Sequence, residues 1–160
     1  MTGSRDVVRA SIVVDASPAI TFRAFTQRLD EIKPRQHNLL SVPIARTELE
    51  PVVGGEVRDI GIDGSTCTWA RVLVFEPPTR LVLGWHISPQ WRVDPAPERA
   101  SEVELTFEAV GAGRTSVQLV HRSLSRHGEG WESFLGLDRD EGWPLYLSRL
   151  ADALRGQSES

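Results

Sequence analysis

The chain has 160 residues, a formal net charge of -4 and 40% hydrophobic residues. That is enough for one domain with its own core and too acidic a balance for sequence-independent nucleic-acid binding. The single cysteine, Cys67, excludes an intrachain disulfide and a cysteine-based zinc site. The opening MTGSRDVVRAS lacks the apolar run of a signal peptide, and no segment approaches the roughly 20 apolar residues of a membrane span. The expectation is a cytoplasmic protein without membrane contact, with a monomer favoured.

Residues 1–5 and 156–160 read as frayed ends around one domain spanning 1–160, with an ordered core over about 6–155. Val7 to Val14 is rich in β-branched residues and predicts a first strand. Ser17 and Pro18 suit the cap and first position of a helix whose apolar stripe is Ile20, Phe22, Ala24, Phe25 and Leu29, ending near Asp30. Pro34 and Pro43 bracket a polar stretch, read as a turn of helix and then a loop. Strands are predicted over Ile44 to Glu50 and Glu56 to Ile62, followed by an Asp63-Gly64 turn.

Thr66 to Phe75 and Arg80 to Ile87 form a hairpin around Glu76-Pro77-Pro78-Thr79. Alternation puts Leu81, Leu83 and Trp85 on one face of that hairpin, assigned to the concave side, and Val82 and Gly84 on the other. Ser88 to Ala100 contains three prolines and reads as a long connection, a type of segment that is often functional. Glu102 to Ala109 and Thr115 to His121 pair around Gly111-Ala112-Gly113. Trp143, Leu147, Leu150 and Leu154 then mark one face of a C-terminal helix. Pro144 either starts this helix or kinks a longer one from Trp131. Strand, helix, about six strands and a helix make an α+β arrangement, in which a long sheet must curl to bury one face. A sheet that curls around a helix without collapsing on it leaves a cavity for a small ligand.

No recognised catalytic or metal-ligand motif accompanies this pattern. His37, His86, His121 and His127 fall in no metal-ligand spacing, no GxSxG elbow is present, and the glycines do not form a phosphate loop. Asp138, Asp140 and Glu141 read as complements to a helix dipole. The site is therefore drawn from apolar and aromatic side chains, with no cofactor, no metal and no catalytic residue assigned. Trp69, Trp85, Trp91 and Trp143 are its aromatic anchors, with Trp91 a lid on the proline-rich loop. Phe25, Leu81, Leu83, Phe107 and Leu147 complete the predicted lining.

Five segments carry a resemblance across nearly the whole chain: VVRASIVVDASPAITFRAFT, the Gly54-Gly55-Glu56 turn, EPPTRLVLGW, SEVELTFEAVGAGRTSVQLVH and GWPLYLSRL. In this order they resemble the START-like, Bet v 1-like (SRPBCC) superfamily, and within it the branch homologous to the Hsp90 ATPase activator. The resemblance implies a helix-grip fold: a curved antiparallel sheet around a long C-terminal helix. The tryptophan pair that the family often carries after its first helix is absent around Ile32-Lys33-Pro34.

GWHISPQWRVDP, RTSVQLVH and EGWPLYLSRL are also similar to enediyne self-resistance proteins of the calicheamicin type. That likeness implies a drug-binding cavity and sacrifice of the protein's own backbone at an exposed glycine. Gly111, with Gly113 beside it, matches that role by position; both glycines equally serve a hairpin turn.

The leading expectation is non-enzymatic binding of a hydrophobic or aromatic small molecule, extending to self-resistance against an enediyne natural product. A chaperone-contacting interaction domain and a polyketide cyclase or aromatase are the alternatives. A polar pair deep in the pocket, such as His86 with a carboxylate, favours the enzyme.

Overall fold

A computed structural model describes residues 6–158, with side chains through Arg155. The β-branched run forms β1 (Val8–Val14), and the chain then turns into α1 (Pro18–Gln27). Ser17 caps α1 by accepting the Ile20 backbone N–H at 3.3 Å. Pro18 takes a first-turn position that needs no amide donor. α1 stops before the expected Asp30, because Arg28 leaves helical geometry; a single turn, α2 (Leu29–Ile32), follows.

Six further strands follow: β2 (Ile44–Leu49), β3 (Glu56–Gly61), β4 (Thr66–Glu76), β5 (Arg80–Trp85), β6 (Ser101–Gly111) and β7 (Arg114–Arg122). Sequential strands from β2 to β7 pair antiparallel, and β1 pairs with β7, giving one seven-stranded sheet in the order β1-β7-β6-β5-β4-β3-β2. Register shifts occur in the β2–β3, β3–β4, β4–β5 and β6–β7 pairs. Extra residues of this kind bend a strand and raise its twist, and so curl the sheet.

A 3₁₀ segment covers Trp131–Asp138, and α3 (Trp143–Ser158) begins separately with Pro144 in its first turn. The proline thus starts the helix and kinks nothing. α3 packs against β1, α1 and α2, and it continues past residue 155 into the segment expected to fray. The other expected frayed residues, 1–5 and 159–160, lie outside the described residues.

The curled sheet and long C-terminal helix are the helix-grip architecture expected from the sequence. The core joins Phe22 of α1 edge-on to Phe75 and Phe107, with ring centres 5.4 and 5.1 Å apart. Leu81, Leu83, Leu105, Leu119, Leu147 and Leu150 are buried in the same cluster, each worth about 2 kcal/mol in apolar surface removed from water. Among the described residues, no helix is long and apolar enough to cross a membrane, and no group of side chains could hold a metal ion.

Candidate functional site

Where β3, β4 and β5 face the start of α3, the core is open. The cavity there has a volume of about 870 Å³ and is also lined by the loop after α2, the 87–91 loop and the 133–142 segment. Strand direction explains part of its chemistry. Inward positions of β3 carry Val57 and Asp59, both buried, so one of them brings a carboxylate under the sheet.

That carboxylate is engaged at both oxygens. Asp59 Oδ2 accepts from Lys33 Nζ at 2.8 Å, and Oδ1 accepts from Thr47 Oγ1 at 2.8 Å and Trp69 Nε1 at 3.2 Å. Lys33 also donates to the His37 backbone carbonyl, and its ammonium stands 5.4 Å from the centre of the Trp69 ring. Burial pushes the Lys33 pKa down, and Asp59 opposes that shift.

A second polar pair adjoins the first. Nδ1 of His37 lies 3.4 Å from the Tyr146 hydroxyl of α3. Burial, and then the charge of Lys33, hold His37 below the usual imidazole pKa, while a hydrogen bond to the Glu141 backbone carbonyl works the other way. A neutral His37 that donates to that carbonyl through one nitrogen presents the other as acceptor for the Tyr146 proton. Burial, and then Asp59, raise the Tyr146 pKa, so its hydroxyl keeps that proton at neutral pH.

The remaining wall is aromatic. Trp85 meets Phe134 edge-on at 4.8 Å and Trp143 at 6.4 Å between ring centres. Trp91 is 51% exposed, stands edge-on to Phe134 at 5.5 Å and holds φ at 60°. That backbone conformation is rare for a bulky residue.

Behind Trp85 runs a buried hydrogen-bonded chain. Trp143 Nε1 donates to His121 Nδ1 at 3.0 Å, and Ser101 Oγ lies 2.7 Å from both His121 Nε2 and His127 Nε2. Since His121 Nδ1 accepts, its Nε2 carries the hydrogen and donates to Ser101; the serine proton is then free for His127. Burial pushes His121 down to about 3 and His127 to about 4, so both are neutral at pH 7.

Of the lining residues predicted from sequence, Trp69, Trp85, Trp91 and Trp143 surround this cavity. Phe25, Leu81, Leu83, Phe107 and Leu147 lie in the packed core and are not among its lining residues. Gly111 and Gly113 sit in the exposed β6–β7 turn with positive φ, as a hairpin requires, and do not line it either. His86 is turned away as well. Its Nδ1 is 2.9 Å from the Asp94 carbonyl oxygen, and it lines a smaller cavity of about 420 Å³ with Cys67 and Arg92.

Lys33, Asp59 and Tyr146 escaped sequence reading. Signals pointed to two of them: for Asp59 a carboxylate at an inward strand position in EVRDIG, and for Tyr146 its place three residues after Trp143 and four before Leu150 on the apolar helix face.

A sequence model of the family described as Activator of Hsp90 ATPase homolog 1-like protein matches residues 15–155. No curated protein sequence matches the chain. Among solved structures, the chain is similar to an anthrahydroquino-γ-pyrone synthase, Txn09, complexed with SUM. The identity there is 38%, with 95% of this chain and 99% of that one covered and a TM-score of 0.65. It is also similar to CalC, a self-sacrificing resistance protein from Micromonospora echinospora, at 25% identity, 94% and 95% coverage and a TM-score of 0.68. Protein NE0264 from Nitrosomonas europaea shares the fold at 12% identity, 98% and 99% coverage and a TM-score of 0.70. The match over residues 15–155 makes this chain a member of the Activator of Hsp90 ATPase homolog 1-like family.

Proposed function

We propose that the cavity binds a flat, hydroxylated aromatic polyketide and closes an oxygen-containing ring on it. The 38% identity to a γ-pyrone synthase over nearly the full chain carries this reading. The Tyr146–His37 pair inside the cavity gives it chemistry. A γ-pyrone fused to an arene forms when a phenol oxygen adds to the far carbonyl of a neighbouring 1,3-diketone chain. The new C–O bond replaces the carbonyl π bond, and the former carbonyl oxygen takes up the phenol proton. That oxygen then leaves as water with a proton from the adjacent carbon, and a C=C bond forms. One water is lost and no oxidant or cofactor is needed.

The phenol proton passes to the Tyr146 oxygen as the Tyr146 proton passes to His37 Nδ1; the relay then reverses, so that Tyr146 regains a proton and the former carbonyl oxygen receives the other before it leaves as water. The aromatic wall holds the rings so that the phenol faces its carbonyl, the orientation effect on which intramolecular closure depends. The test is turnover of a phenolic anthraquinone bearing a 1,3-diketone. Tyr146→Phe is expected to lower kcat by roughly 10²-fold with ligand affinity little changed, as removal of a proton-transfer group does. Equal rates for the variant and the parent would remove Tyr146 from the mechanism.

Sequestration of an enediyne is the second reading, supported by the 25% identity to CalC. Its sacrificial step at Gly111 or Gly113 fits less well. Ser101 pairs with the cavity residue Trp85 at one end of β6, and Gly111 closes the other end. At about 3.3 Å per residue, the length of β6 separates both glycines from the Trp85 wall, which counts against their contact with a ligand in the cavity. Two discrete fragments after exposure to an activated enediyne would nevertheless establish it.

A further inference from the structure

Of the two cations that line the cavity, Arg139 is exposed and Lys33 is buried in the wall, and the ring-closing reaction above leaves Lys33 unused. Its side chain is 3% exposed, a depth at which a lysine is found when it is paired, here with Asp59 at 2.8 Å. The ammonium has three protons. Asp59 and the His37 carbonyl accept from it, and no other acceptor for it occurs among the described residues. Asp59 has both oxygens engaged: Lys33 donates to Oδ2, and Thr47 and Trp69 donate to Oδ1. Towards an anionic ligand the two differ in kind: the carboxylate only accepts, whereas the ammonium keeps one N–H without a hydrogen-bond acceptor.

We propose that Lys33 is the anion-binding group of the cavity and holds an ionised aromatic hydroxyl, a phenolate, of the ligand. This rests on the reading that the cavity takes hydroxylated aromatics, and it specifies the charge state in which they are held. A phenolate suits the site better than a neutral ring. It fills the remaining donor direction of Lys33 with a charge-assisted hydrogen bond, while its ring lies among tryptophans. The hydroxyl held in this way is not the one that closes the ring, whose proton passes to Tyr146.

The test is a visible-absorption pH titration of 2-hydroxyanthraquinone, whose colour reports its ionisation, free and bound to the full chain. Quenching of tryptophan fluorescence reports binding independently. The bound dye is expected to ionise at least about one pH unit lower than the free dye, a tenfold preference for phenolate. Lys33→Met combined with Asp59→Asn, which removes both charges together, should still quench but lose the shift. Tyr146→Phe should keep it.

Binding without a downward shift in the parent protein overturns the assignment, whether or not the double variant folds. So does a shift that survives in the double variant, or one lost in Tyr146→Phe. Absence of any quenching removes the aromatic-binding reading itself, and this one with it.

Discussion

Trp143 donates its indole N–H to Nδ1 of His121 across 3.0 Å, tying the first turn of α3 to β7. This bond sets the tautomers along Ser101 and His127 and fixes the ring that stands at 6.4 Å from Trp85 in the cavity wall. Trp143→Phe keeps most of the apolar contact but leaves a buried imidazole acceptor without a donor. The expected loss is about 1–3 kcal/mol, measured as a lower urea midpoint with an unchanged denaturant slope.

The same chain makes stability depend on acid. Burial lowers His121 to about 3 and His127 to about 4 in the folded protein, against an ordinary value of 6.5. Between those limits the unfolded chain binds more protons than the folded one, so stability falls as pH drops below 6.5. Each histidine contributes a slope of up to about 1.4 kcal/mol per pH unit. The loss levels off below each folded value. Ring nitrogen chemical shifts at pH 5 should show both imidazoles neutral, with the hydrogen on Nε2 of His121 and on Nδ1 of His127.

The buried Lys33–Asp59 pair predicts strong coupling. Removing either partner strands a charge in the wall, at a cost of about 3–5 kcal/mol. Lys33→Met with Asp59→Asn should cost well under the sum of the single changes. Unfolding free energies around this double-mutant cycle measure the coupling; additive losses would mean the two groups do not act as a pair.

Trp91 holds its positive φ at the mouth of the cavity, the kind of strain that clusters at ligand clamps. Trp91→Gly relieves backbone strain of about 1–2 kcal/mol while losing the contact with Phe134, so stability should change little. Affinity for a planar aromatic should fall about fivefold or more, since one stacking partner is worth roughly 1 kcal/mol. Calorimetric melting and fluorescence titration of the variant separate the two effects.

The container was legible in the sequence and much of its chemistry was not. β-branched runs, the Asp63-Gly64 turn and the spacing of Trp143, Leu147, Leu150 and Leu154 are local signals, and they mark strands, turn and helix directly. Four of the tryptophans chosen as anchors surround the cavity. Leu81 and Leu83 were placed on the inward face, but inward means core as readily as cavity, and these leucines pack into the core. The polar cluster is non-local. Lys33 and Asp59 are 26 residues apart, and His37 and Tyr146 are 109 apart. No spacing rule links such pairs before the sheet curls and α3 crosses it. His86, the histidine singled out for a polar pair, faces the far side of β5, where the Asp94 carbonyl engages it.

Ring closure itself is the most direct test of the central claim. A phenolic anthraquinone carrying an adjacent 1,3-diketone, incubated with the purified protein and followed by mass and ultraviolet absorbance, should lose one water and gain the γ-pyrone chromophore at a rate proportional to protein concentration. A substrate that binds with saturable tryptophan quenching yet closes no faster than in buffer would contradict the account.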